Sequence, residues 1–202
     1  MSTRERIIDE AERLIALHGF EDLRLADIAD AVGIRIPSIY GHFDSREAVY
    51  RAVVERYVEG MKERFPYDGS SDPTAALLDG VRDYVVFLVK RPAFPRLELR
   101  DMERPGGIPD VADLGGVTHE DLLAGPHVPM YARVQAILAR GRALGQFREI
   151  GVIAFFRALG GTALASLTWP TQDLLLGDAP EAELEAVVAE IQDAMLRYVR
   201  AD

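Results

Sequence analysis

The sequence predicts an all-α protein of about nine helices, an N-terminal helix-turn-helix unit followed by a helical bundle. Three observations predict it. Apolar residues recur at helical spacing through nearly every segment, and no segment alternates convincingly as a strand. Residues 25–50 read as a helix, a turn at Gly33, a very short helix and the capped start of a longer one. Residues 150–169 are apolar on almost every side, which a helix tolerates only when more than one face is buried.

Each element has its own local signal. Ser2 and Glu5 have the spacing of a capping box, and the helix they open buries Ile7, Ile8, Ala11, Leu14 and Ile15. Gly19 ends it, with Phe20 as the apolar contact beyond the cap. Ala26, Ile28, Ala29 and Val32 form the face of the second helix. Pro37 fits only the first turn of the third, expected over residues 37–43, where its missing N–H has no partner to lose. So short a helix cannot stand alone in water, so its neighbours must hold it. Asp44 and Ser45 suit the cap of a fourth helix over residues 46–65, with Val49, Ala52, Val53, Tyr57 and Met61 inward.

Residues 66–73 are dense in turn formers and mark the clearest break. A helix is expected over 74–90, burying Leu77, Leu78, Val81, Tyr84, Val85 and Leu88, and another over 94–103. Residues 104–118 read as a loop, with a short helix near His119. Pro126 and Pro129 open a long helix to about Ala143, closed by Gly145, that buries Met130, Val134, Ile137 and Leu138. Residues 180–200 carry the stripe Leu184, Val187, Val188, Ile191, Met195 and Tyr198. A division into residues 1–48 and 49–202 follows.

Composition narrows the function classes. There is no cysteine, so no disulfide framework and no thiolate metal site. The longest apolar run is too short to span a membrane and the N-terminus is charged from the start, so no membrane partner and a cytoplasmic location are expected. The net charge of −10 weighs against nucleic acid, yet it is unevenly spread. Residues 1–65 hold ten Arg and Lys against thirteen Asp and Glu; the rest hold thirteen against twenty. Residues 31–43 contain no acid at all, while Arg35 and His42 lie within them. Screening over roughly 8–10 Å lets such a local face attract phosphate on an acidic molecule.

Two helices joined by a short glycine turn form the motif whose second helix enters the DNA major groove. From about Arg4 to Met61 the chain resembles the tetracycline-repressor (TetR) family of bacterial regulators. The resemblance rests on Gly19-Phe20, Asp27-Ile28-Ala29, Gly33-Ile34, Ile39-Tyr40, His42-Phe43 and Ser45-Arg46-Glu47-Ala48-Val49, in that order. It implies that Tyr40, His42 and Arg46 contact phosphates, which fix register without reading sequence. It places Arg35, Ile36, Ser38 and Gly41 nearest the bases. Arg24 and Arg35 replace the Ser or Thr that often caps the second and third helices in such proteins. Each lost cap costs ~1 kcal/mol, but each arginine can instead reach a phosphate or a guanine edge.

The second half offers weaker signals. Tyr84, Phe87, Met130, Tyr131, Phe155 and Trp169 could line an apolar effector cavity, with Arg100 as an anchor for an anionic ligand. Phe156, Gly160, Ala163 and Leu167, with Val187, Ile191 and Met195, are expected to face a second copy of the chain in a four-helix interface. The expected function is a ligand-released repressor that binds a palindromic operator as a homodimer. Its partners are then double-stranded DNA and a small-molecule effector, with no cofactor and no metal. The alternative is a helical small-molecule-binding protein or enzyme that has lost DNA binding. Enzyme signals are missing: His18, His42, His119 and His127 lack metal-ligand spacing, and there is neither a GxSxG elbow nor a phosphate-cradling loop.

Overall fold

The computed structural model describes residues 1–95, 129–168, 174 and 180–201, and the all-α expectation holds over them. Eight helices lie among the described residues: α1 (Thr3–His18), α2 (Leu25–Val32), α3 (Ile36–Tyr40), α4 (Arg46–Met61), α5 (Pro73–Val89), α6 (Pro129–Ala143), α7 (Val152–Thr168) and α8 (Glu181–Val199). Of the helix expected over 94–103, only Phe94 and Pro95 are described. The loop expected over 104–118, the helix near His119, Pro126, and the candidate ligand residues Arg100 and Trp169 lie outside the described residues.

The chain packs as two compact units. The first takes α1 to α3, α4 as far as Glu59 and, among the described residues, 91–95. A boundary drawn after residue 48 therefore passes through α4, whose residues to Glu59 pack with the first unit. Local chemistry explains its helix ends. In α1 the Ser2 hydroxyl accepts from the Glu5 amide while the Glu5 carboxylate takes the Ser2 amide at 2.6 Å. That bond holds the Glu5 carboxyl below its ordinary range. The Ser45 hydroxyl, not Asp44, caps α4 by accepting from the Ala48 amide at 3.1 Å. Inside this unit Glu12 is a buried charge with two partners, Arg91 at 2.8 Å and Arg56 at 3.4 Å. Arg56 also pairs with Asp9, so α1 and α4 are joined by ions as well as by apolar packing.

The second unit begins where α4 ends. Met61 is the last helical residue, four short of the expected end, and Phe65 sits at φ 54. A left-handed backbone at a bulky residue is strained and persists only when its surroundings demand it. Two features do so. The Phe65 side chain is fully buried, with its ring edge-on to Phe155 at 6.0 Å and Phe156 at 5.9 Å. Its carbonyl accepts from Arg133 Nε of α6 at 2.9 Å, and the same guanidinium takes the carbonyls of Arg64, at 2.7 Å, and Lys62. Burial, with Arg64 nearby, pushes the Arg133 guanidinium below its ordinary pKa. Gly80 makes room for the ring, since a Cβ there would lie 2.0 Å from it. In the same unit Arg148 donates to the Tyr198 carbonyl at 2.7 Å, and Gln192 to the Leu78 carbonyl at 2.8 Å, tying α8 to the α6 exit and to α5.

Candidate functional site

The turn between α2 and α3 is built on one residue. Gly33 takes φ 74 and ψ 37, donating to Asp30, and Ile34 reaches back to the Ala29 carbonyl at 2.9 Å. This closes α2 in the Schellman manner and turns the chain in three residues. Helix α3 is shorter than expected, ending at Tyr40, but His42 and Phe43 both donate to the Ile39 carbonyl and extend it by a turn. Ile39 and Phe43 are buried at 0% and 5% relative exposure and anchor the segment.

Everything else on this segment faces outward. Arg35, Ile36, Ser38, Tyr40, Gly41 and His42 are all exposed, as is Arg24 at the start of α2. Ile36 and Tyr40 keep 42% and 54% of their surface in water. Gly41 has an ordinary helical backbone, φ −69, so no turn requires a glycine there. Its missing side chain leaves the face bare instead. Neither Arg24 nor Arg35 caps its helix through a side-chain hydrogen bond, as their sequence positions imply. Among the described residues no carboxylate pairs with Arg24 or Arg35, so both guanidinium groups face outward without an acid.

Arg46 is held from within the chain. Its guanidinium lies 4.7 Å over the Phe20 ring, with Nε 3.3 Å from the Glu47 carboxylate and Nη1 3.4 Å from the Glu21 carbonyl. It is therefore a positioned charge, partly neutralised from within. A second arginine that sequence reasoning did not single out has a similar seat: Arg4 of α1 lies 5.0 Å over the Phe43 ring. No sequence signal joins residues 4 and 43; only the fold does.

Residues 7–53 match the family model described as "Bacterial regulatory proteins, tetR family". Over those residues the chain is similar to the N-terminal DNA-binding domain of that family. Over 56 residues the chain is 38% identical to the HTH-type transcriptional repressor ComR of Escherichia coli, a stretch covering 28% of this chain and 27% of ComR. Over 52 residues it is 38% identical to the biofilm operon regulator IcaR of Staphylococcus epidermidis, covering 26% and 28%. The match thus spans about a quarter of the length of these curated relatives. Among solved structures, the TetR family regulator PfmR from Thermus thermophilus aligns at TM-score 0.70 and 24% identity, covering 95% of this chain and 97% of that one. The ketosteroid regulator KstR2 of Mycobacterium tuberculosis aligns at TM-score 0.74 and 19% identity, covering 100% and 96%. At these identities the structural likeness establishes the tetR fold along the chain.

In the second unit the candidate ligand residues join a core. Tyr131 stacks on Phe156 with centroids 4.4 Å apart, and Phe155 meets Phe156 edge-on at 5.5 Å. Tyr84, Met130 and Phe155 are buried. Phe87 is half-buried, with the Arg64 guanidinium 5.1 Å over its ring. The expected partner-facing stripe needs correction. Ala163, Leu167, Ile191 and Met195 are at most 1% exposed within their own chain, so they have no area left to give a second copy. Phe156 turns toward Tyr131 and Phe65 because it sits about 100° round the helix from Phe155 and shares that aromatic cluster. Gly160 and Val187 remain partly open. A Cβ built at Gly160 or Gly161 would meet nothing within 4 Å. The glycines that admit close neighbours are Gly60, Gly80 and Gly141, each covered by an aromatic ring. Among the described residues no cluster of His, Asp and Glu could hold a metal, and no helix is long and apolar enough to cross a membrane.

Proposed function

We propose that this chain is a DNA-binding transcriptional regulator, a repressor that acts as a homodimer on a palindromic operator and is released by a small, largely apolar effector. The observation that carries the reading is the face of α3. Ile39 and Phe43 fix the helix from below, while Arg35, Ile36, Ser38, Tyr40, Gly41 and His42 stand exposed in a stretch with no acid. Arg35 can pair with a guanine edge in bidentate fashion, Ile36 can pack on a thymine methyl, and Gly41 lets the backbone approach closely. Tyr40 and His42 supply phosphate contacts and hence register. ComR, named a transcriptional repressor, and IcaR, named a negative transcriptional regulator, are each 38% identical to this chain, over 56 and 52 residues respectively.

The homodimer rests on the bare glycine edge of α7 at Gly160 and Gly161, with Val187 of α8 beside the buried α8 stripe. Two α3 helices related by a two-fold axis would read major grooves about 34–36 Å apart. Effector release rests on the aromatic residues of the second unit, Tyr84, Phe87, Tyr131 and Phe155. An effector that lowers operator affinity a hundredfold needs about 2.7 kcal/mol of coupling, and operator DNA must weaken effector binding by the same factor.

Selection of binding sites from random duplex DNA tests the reading. Enrichment of a two-fold symmetric sequence is the expected result. Recovery of no sequence above the starting pool, at any salt concentration, contradicts it.

A further inference from the structure

The arginines of the first unit divide into two groups. Arg13 pairs with Glu10; Arg56 pairs with Asp9 and Glu12; Arg91 pairs with Glu12; Arg46 pairs with Glu47; and Arg6 donates to the Val32 carbonyl at 2.5 Å. Arg4 stands apart. Among the described residues its guanidinium meets no carboxylate, although the next residue is an acid. Glu5 is engaged elsewhere, closing the capping box through the Ser2 amide and hydroxyl. The arginine is not loose, however. It sits over the ring of Phe43, 5.0 Å from its centroid, and Phe43 is the buried anchor that follows His42 at the end of α3. A guanidinium held on a ring face is oriented by it, yet forms no conventional hydrogen bond there, so its N–H donors remain for another acceptor.

We propose that Arg4, from a different helix, is part of the nucleic-acid face: a positioning residue that contacts a backbone phosphate beside those reached by Tyr40 and His42. The inference rests on the DNA-binding reading above. Phe43 gives one residue two tasks, since the ring that seats α3 also fixes where the α1 charge stands. Arg4 therefore reports to the phosphates on how α1 and α3 are packed. Because phosphates carry no base identity, Arg4 adds affinity and register without adding sequence preference.

The test compares wild type, Arg4→Ala, Arg4→Lys and Arg13→Ala, the last removing an equal charge from the same helix. Each is titrated against the operator selected with wild-type protein and against an unrelated duplex of equal length, between about 50 and 200 mM salt. Arg4→Ala is expected to weaken both duplexes by a similar factor, on the order of tenfold at the low end. Its salt slope should fall by about 0.9 for each subunit engaged. Arg4→Lys should keep the slope, because the charge remains, and lose part of the affinity with the planar seat. Arg13→Ala should match wild type. Wild-type affinity and slope in Arg4→Ala, while Arg35→Ala still loses operator binding, overturn the proposal and leave the DNA-binding reading standing. A loss confined to one base position also overturns it, since that is base reading. A wild-type protein that binds neither duplex removes both.

Discussion

The α2–α3 segment and the α7–α8 pair put opposite kinds of residue where sequence analysis looked for function. In the first, the residues named for function are the exposed ones, and the buried pair, Ile39 and Phe43, only holds them. In the second, most of the residues named for a partner surface are in the chain's own core: Ala163, Leu167, Ile191 and Met195. The difference lies in what the pattern encodes. On α3 the helix-turn-helix motif, not the period, marks the outward face: Ile36 and Tyr40 share the apolar spacing of Ile39 and Phe43 yet stay in water. On α7 nearly every position is apolar or small, so periodicity cannot say which stripe faces inward.

Breaking the second region should have the largest effect. Phe155→Ala removes a fully buried ring from the cluster with Phe65 and Phe156, and is expected to cost ~3–5 kcal/mol in denaturant unfolding. Arg133→Met comes next. It leaves the carbonyls of Lys62, Arg64 and Phe65 without their shared donor, with an expected loss of ~1–3 kcal/mol. An unchanged denaturation midpoint would mean that water satisfies those carbonyls as well as arginine does.

A matched pair on α7 sharpens the contrast between its faces. Ala163→Leu overpacks a buried site and should cost ~1–3 kcal/mol of subunit stability. Gly160→Leu enters open space in the single chain and, by relieving a mid-helix glycine, should stabilise the subunit by ~0.5–1 kcal/mol. If Gly160 faces a second copy, its variant sediments as a monomer at concentrations where wild type is dimeric. Equal sedimentation of the two proteins would move the interface elsewhere.

On α3 the expected change has two signs. Arg35→Ser supplies the missing cap and should stabilise the fold by ~1 kcal/mol while weakening operator binding. A variant both more stable and equally tight on DNA would remove Arg35 from the reading face. The smallest effect concerns acid. The Asp72 carboxylate accepts from Gln146 and from the Ala75 amide that it caps, and these bonds, Gln146 first, hold it below its ordinary pKa. Its stabilising contribution is thus complete above the ordinary carboxylate range and is lost as pH falls through the lowered value. Asp72→Asn should flatten that acid limb slightly and leave neutral-pH unfolding almost unchanged.

The helices were legible wherever a cap, a turn glycine and a period agreed, as at Ser2, Gly33 and Gly145. Phe65 was not, because its position depends on Arg133, sixty-eight residues away, whose guanidinium donates to the carbonyls of Lys62, Arg64 and Phe65 just beyond the end of α4. Most of the exposed α3 residues were named by the tetracycline-repressor resemblance rather than by periodicity. Arg46 could be located but its tie to Phe20 and Glu47 could not, and the Arg4 seat on Phe43 joins residues that no local pattern connects. The close approaches at glycine were not legible for the same reason: only the fold brings Phe65, Phe87 and Phe147 over Gly80, Gly60 and Gly141.

If Arg35 reads a base while Tyr40 holds the backbone, their substitutions must act differently on base preference. The measurement that tests this division most directly is the affinity of wild type, Arg35→Ala and Tyr40→Phe for the selected operator and for each of its single-base-pair variants. Arg35→Ala is expected to lose ~1–3 kcal/mol of discrimination at one position of each half-site and little elsewhere. Tyr40→Phe should weaken every duplex alike and leave the preferences intact. Unaltered base preference in Arg35→Ala, or a preference that changes in Tyr40→Phe, would contradict it.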